Sequence, residues 1–241
     1  MKLVLFDIDG TILLTDGAGR RAIHRALVDV FGSAGPVDHR FDGKTDPQIV
    51  REMMRAAGHG DAHIDSLMEQ LLDTYLTHLH DELVEAKPRA QVFPGVRELI
   101  DQLDARGDVV LGLLTGNLAA GARAKLAAVD IDPGMFQVGA YGSDHEMRAE
   151  LPAIAQRRVR DELGFEIIGD DVVVIGDTPA DVACGRGIGA RAIAVATGSY
   201  TVDELAQHAP AAVFEDLSDV GEVMRVILAV PPFALPLPSP E

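Results

Sequence analysis

The chain has 241 residues, 47% hydrophobic and 24% charged, which is enough apolar material for one large folded unit or two modest ones and excludes disorder as the default. Thirty-eight acidic residues against twenty-one basic ones give a formal charge of −17, which argues against nucleic acid and against an anionic membrane surface as partners. One cysteine, Cys184, rules out an intrachain disulfide and any Cys-rich zinc site, and no apolar run approaches the ~20 residues of a membrane helix, so a reducing, cytoplasmic setting is expected.

The first element is a strand, Leu3–Phe6, which ends in Asp7-Ile8-Asp9-Gly10-Thr11. Helical periodicity then occupies Arg20–Val30, Asp46–Ala57 and Asp65–Glu85, with apolar residues three and four apart. Gly17 and Gly19 precede this stretch, and Pro88 and Pro94 follow it. Residues 16–88 therefore read as an all-helical insertion with flexible joints, and residues 1–15 with 89–230 as the unit that carries it. A helix over Val96–Asp104 leads to a second strand, Val109–Leu114, which ends in Thr115-Gly116-Asn117. The pattern continues with a helix at Leu118–Ala128, a short strand at Phe136–Val138 and a helix at Leu151–Leu163. A third strong strand, Val172–Ile175, ends in Gly176-Asp177-Thr178-Pro179-Ala180-Asp181 and runs into a helix to Arg186. Short strands at Ala192–Val195 and Ala211–Phe214 complete the series, and the Pro-rich stretch 231–241 suits neither helix nor central strand. Strands apolar on both faces, alternating with helices, predict an α/β fold built on a doubly wound parallel sheet.

Each of the three strong strands terminates in a polar cluster. Ligands of open α/β sheets bind at the carboxyl ends of the strands, so Asp7, Asp9, Thr115, Asp177 and Asp181 are expected on one rim. Four carboxylates so gathered repel one another unless a cation joins them, and hard oxygen ligands suit Mg²⁺. Capping explains a single Asp at a strand end, but it does not explain Asp7 and Asp9 two apart before Gly-Thr. Gly43-Lys44-Thr45 has the ending of a phosphate-binding P-loop, but Asp38 stands where its first glycine belongs. Lys125, in mid-helix, reads as a surface charge.

Taken together, Asp7 to Thr11, Thr115 to Asn117 and Gly176 to Asp181 resemble motifs I, II and IV of the haloacid dehalogenase superfamily, in order and spacing over nearly the whole chain. The insertion is similar to that superfamily's type-1 cap, and the chain looks like its phosphoglycolate-phosphatase-like members. The resemblance implies a Mg²⁺-dependent phosphatase acting on a small phosphorylated metabolite. Asp7 would be the nucleophile that becomes an aspartyl-phosphate, and Asp9 the general acid and base. Asp7, Asp9 (through its carbonyl), Asp177 and Asp181 would serve the metal. Thr115 with the backbone of Gly116 and Asn117 would hold the phosphoryl oxygens. The superfamily's motif III cation has three candidates, Arg148, Arg157 and Arg158, of which Arg148 stands directly before a helix. Asp9 argues against a 2-haloacid dehalogenase, which lacks a second aspartate. Gly19 stands where β-phosphoglucomutases carry a histidine, twelve residues after the nucleophile. A phosphonatase would need a cap lysine, for which Lys44 and Lys87 are available. A phosphosugar mutase, a phosphonatase and a non-catalytic binding protein on the same fold are therefore the alternatives. Lys44 is either a contact for an anionic substrate group or part of a surface turn.

Overall fold

A computed structural model describes residues 1–87 and 89–229. In chain order the strands and α-helices are β1 (Lys2–Phe6), β2 (Leu13–Leu14), α1 (Ala18–Phe31), α2 (Asp46–Ala56), α3 (Asp61–Ala86), β3 (Gln91–Val92) and α4 (Val96–Asp104). There follow β4 (Val109–Thr115), α5 (Ala119–Ala128), β5 (Val138–Tyr141), α6 (Leu151–Arg158), β6 (Val172–Gly176), α7 (Pro179–Cys184), β7 (Arg191–Val195), α8 (Val202–Ala206), β8 (Ala212–Phe214) and α9 (Val220–Leu228).

Six strands form one parallel sheet in the order β5-β4-β1-β6-β7-β8. Every residue of β1, β4 and β6 is buried, because helices cover both faces, and this is why those strands read as unbroken apolar runs. On one face Val4, Phe6, Leu111 and Val173 pack with α4, α5 and α9; on the other Leu3, Leu5, Val110 and Val172 pack with Leu151 and Ala155 of α6. The sheet is the doubly wound α/β architecture expected from the sequence.

Helices α1 to α3 share a separate apolar cluster, built from Ala22, Ile23, Leu27, Ile49, Met53, Leu71, Tyr75 and Leu79, and joined by Leu118 from the sheet side. Thr45 caps α2 by accepting from the Gln48 N–H, with a proline in the first turn. The chain enters this helical part beside the point where it leaves, since Leu13–Leu14 pairs antiparallel with Gln91–Val92 and the Phe93 N–H donates to Ile12 O at 3.0 Å.

Some elements depart from expectation. The strand expected at Phe136–Val138 begins at Val138, because Asp132 accepts from the Gly134 N–H and holds Pro133–Met135 in a 3₁₀ turn. Phe136 instead places its ring edge-on to Phe6, centroids 6.4 Å apart. The helix expected to run to Leu163 is α-helical only to Arg158 and widens into a π turn that stops at Gly164, φ 76°. The helix after β6 ends at Cys184 rather than Arg186 and tightens into a 3₁₀ turn. The Pro-rich stretch 231–241 and Pro88 lie outside the described residues. Among the described residues no helix is long and apolar enough to cross a membrane.

Candidate active site

The carboxyl ends of β1, β4 and β6 open into a cavity of about 500 Å³, roofed by residues of the helical part. Asp7 follows β1 directly and continues the sheet by donating its N–H to Ile175 O at 2.9 Å. Asp177 and Asp181 follow β6. One carboxylate oxygen from each of Asp7, Asp177 and Asp181 lies within 4.8 Å of the others, and all three residues are buried. Glycines make this crowding sterically possible. Gly10 has φ +87°, and a Cβ there, or on Gly198, would collide with the Asp177 carboxylate.

Asp181 has two tasks, one for each oxygen. Its Oδ2 accepts from the Thr178 hydroxyl at 2.6 Å and the Thr178 N–H at 3.0 Å, completing a capping box at the start of α7. Its Oδ1 accepts from Arg148 Nη2. Asp181 thus both caps α7 and belongs to the carboxylate cluster.

Arg148 is 6% exposed, and Nη2 also lies 3.0 Å from Asp7 Oδ1 and donates to Leu114 O at 3.2 Å. Its buried Nε has no acceptor among the described residues. The other two motif III candidates lie elsewhere: Arg158 binds Asp144 at 2.7 and 2.8 Å, and Arg157 is exposed. Burial raises the Asp7 carboxyl to about 6, opposed by Arg148 and reinforced by Asp181 and Asp9. Burial, together with Asp181 and Asp7, holds Asp177 well above the usual carboxylate range. Three buried carboxylates against one guanidinium leave an excess of two negative charges when all are ionised. That donor set, hard oxygens with a charge deficit of two, fits a divalent cation such as Mg²⁺.

Asp9 departs from its companions. Its side chain is 43% exposed to the cavity and is absent from the three-carboxylate group. Its Oδ2 accepts from Asn117 Nδ2 at 2.7 Å and from Lys125 Nζ at 2.6 Å. Lys125 also donates to Asn117 Oδ1 at 2.6 Å, and Asn117 Nδ2 donates to the Thr115 hydroxyl at 2.7 Å. The reading of Lys125 as a surface charge is therefore wrong: it is 4% exposed. Lys125 sits three residues after Ala122 and seven after Leu118, on the buried face of α5, and that spacing was the available signal.

Lys44 lines the cavity, but its ammonium is engaged by Glu52 at 2.5 Å and by His39 Nε2 at 3.1 Å. Arg20, which the sequence did not single out, lines the same wall, stacked 4.0 Å over the Phe41 ring. Gly116 lies tight against the helical part, since a Cβ there would collide with the Lys44 carbonyl. Asp46 fastens this contact: its N–H donates to Gly116 O at 2.8 Å, and its Oδ2 accepts from the Leu118 N–H at 2.9 Å.

The family model for haloacid dehalogenase-like hydrolases matches residues 1–189. The chain belongs to that family. This hydrolase is 30% identical to a phosphoglycolate phosphatase of Rhodospirillum rubrum over 228 residues, covering 92% of this chain and 90% of the relative. It is 27% identical to a phosphoglycolate phosphatase of Synechococcus elongatus, with 95% and 99% covered. Its fold matches the crystal structure of a hydrolase from Pseudomonas syringae with a TM-score of 0.72 at 21% identity, covering 95% of this chain and all of that one.

The buried Asp46 gives the hydrolase a pH signature of its own. Burial pushes its carboxyl up to about 6, opposed by Lys125 and the Leu118 N–H. The folded state thus keeps a proton between about pH 4 and 6 that the unfolded state has lost, so the stability contribution of Asp46 falls as pH rises through that window and is level above it. Asp46→Asn keeps an acceptor for Leu118 and cannot ionise. Relative to wild type it is expected to gain up to about 3 kcal/mol at pH 7 and nothing at pH 4. Denaturant titrations at the two pH values check this, and a gain of equal size at both would exclude the ionisation account.

Proposed function

We propose that this hydrolase is a Mg²⁺-dependent phosphatase that transfers the phosphoryl group of a small monoester to Asp7 and then to water. The observation that carries the reading is the Asp7 carboxylate, buried at the end of β1 beside Arg148 and within 4.8 Å of Asp177 and Asp181. Asp7, Asp177 and Asp181 would hold the ion, which when bound offsets repulsion between this acidic pocket and the substrate phosphate. That repulsion is about 4 kcal/mol per charge pair at ~4 Å for an effective dielectric near 20.

In the first transfer a bond forms from an Asp7 oxygen to phosphorus while the ester P–O bond breaks. The leaving oxygen keeps the electron pair and takes a proton from Asp9. In the second, water attacks phosphorus and gives its proton to Asp9, and the bond to Asp7 breaks, restoring the carboxylate. The Arg148 Nε–H, which has no acceptor among the described residues, the Thr115 hydroxyl and the Gly116 N–H would serve the phosphoryl oxygens and stabilise their charge. The helical roof keeps bulk water from the first transfer.

The non-reacting end of the substrate would meet Arg20 and Lys44, two cations on the roof side of the cavity. Together with the phosphoglycolate phosphatases among its relatives, they support a carboxylated ester, phosphoglycolate, as substrate. Lys44, already paired to Glu52, would contribute through a shared network. A panel of small phosphate esters tests this. Phosphoglycolate is expected to exceed neutral esters in kcat/KM by at least tenfold, with activity lost in EDTA and recovered on adding Mg²⁺. On Lys44→Ala the preference is expected to shrink. Turnover of the whole panel in EDTA would overturn the metal, and an even rate across the panel would overturn the substrate class.

A further inference from the structure

Lys125 is a buried ammonium that the two transfers do not use. Burying such a charge is costly unless it is paired and fully hydrogen-bonded, so its surroundings are informative. Nζ reaches Asp9 Oδ2 and Asn117 Oδ1, each at 2.6 Å, and the opposing charge of Asp46 is near enough to feel it. The space around it is made by an absence: a Cβ on Gly19 would come within 3.2 Å of Nζ and 3.9 Å of the buried Tyr75 hydroxyl. Core, loop and helical part thus converge on one ammonium.

The geometry at Asp9 shows what this convergence does. With 43% of its side chain exposed, packing does not select a rotamer for Asp9. Two hydrogen bonds do, from Lys125 and from Asn117 Nδ2, and both fall on Oδ2. We infer that Lys125 is a positioning residue for Asp9: ammonium and amide fix Oδ2 and leave Oδ1 as the oxygen that passes the proton. Lys125 also holds Asn117 Oδ1, and the same amide donates to the Thr115 hydroxyl, so the second anchor depends on Lys125 in part. The inference rests on the phosphatase reading above, in which Asp9 protonates the leaving oxygen as the ester P–O bond breaks. Proton transfer needs hydrogen-bond reach, and a carboxyl free to swing spends little time within it.

Leaving-group dependence reads this role directly. 4-Nitrophenyl phosphate expels a stable phenolate that needs little protonation, whereas a simple alkyl phosphate expels an alkoxide that needs it fully. We expect Lys125→Met, measured as kcat/KM with Mg²⁺ present, to lose on the order of 10²-fold more on the alkyl ester than on the nitrophenyl ester. Lys125→Gln, which keeps a donor in the same space, is expected to recover part of that gap, and it carries the test if thermal melts show the methionine variant unfolded. Equal losses on the two esters would mean that Lys125 serves the common phosphoryl group or the fold, and would overturn the inference; so would no loss on either. Failure of the wild-type protein to hydrolyse either ester is read in a separate arm, and it would sink the phosphatase reading and this inference with it.

Discussion

Asp7→Asn is expected to lower kcat on phosphate esters by about 10⁴-fold or more while the protein becomes more stable in the absence of metal. The first effect follows from the proposed role of Asp7 as nucleophile, whose loss alone costs about as much as removing the whole catalytic set. The second follows from burial. The Asp7 carboxyl is raised to about 6, so at pH 7 ionising it costs the folded protein more than it costs the unfolded chain. The penalty begins near pH 4, where the unfolded chain ionises, grows to about pH 6 and is level beyond. Asparagine removes it, for a gain of up to about 3 kcal/mol at pH 7 and none at pH 4. The arrangement trades stability for function, as expected where charge is gathered for chemistry. Single-turnover kinetics beside calorimetric melts at the two pH values make the check. A variant within tenfold of wild type in kcat would remove Asp7 from the role of nucleophile.

Arg148→Met tests the opposite charge. The guanidinium lies against Asp7 and Asp181 and is itself 6% exposed. Its loss leaves three buried carboxylates with no protein cation in contact, and breaking a buried pair from one side costs about 3–5 kcal/mol. The deficit is expected at pH 7 and should shrink as pH falls through about 6, where Asp7 takes up a proton; Asp177, whose carboxyl burial also raises, adds to the trend. Mg²⁺ should restore part of it by supplying charge where the arginine was lost. Activity should fall about 10²- to 10³-fold even when the variant is folded, because the proposed donor to the phosphoryl oxygens goes with it. Arg148→Lys keeps a charge that can meet the Nη2 partners Asp7, Asp181 and Leu114 O but loses the Nε–H, and it should recover stability better than rate. Urea titrations at pH 5 and pH 7 check the pH trend, and a loss under 1 kcal/mol at pH 7 would show that the carboxylates do not depend on Arg148.

What the sequence revealed and what it hid have a common physical cause. A parallel strand buried on both faces has to be an unbroken apolar run, and its end is where polarity resumes. Leu3–Phe6, Val109–Leu114 and Val172–Ile175 were therefore legible with the acidic residues that follow them. Phe136 misled because an apolar residue beside a strand looks like one inside it, whereas its ring serves Phe6 from a turn. The two-residue pairing of Leu13–Leu14 with Gln91–Val92 is too short to produce any periodicity. Lys125 was misread for a different reason, although its spacing put it on the buried face of α5. A lysine on a helix is solvated unless something distant neutralises it, and its partner Asp9 lies 116 positions earlier. The reading of Lys44 was incomplete in the same way, because Glu52 reaches it from the next helix. Strand ends are local facts, whereas the pairing of charges is decided by tertiary structure.

The antiparallel ribbon of Leu13–Leu14 with Gln91–Val92 has an entropic consequence. The excursion from residue 15 to residue 90 leaves and returns through a single doorway only one strand spacing wide, so its two ends are already held together. The entropy of closing such a loop rises only with the logarithm of its length. The length of chain beyond the doorway can therefore change with little entropic penalty to the sheet, while the acidic rim stays where the strands put it.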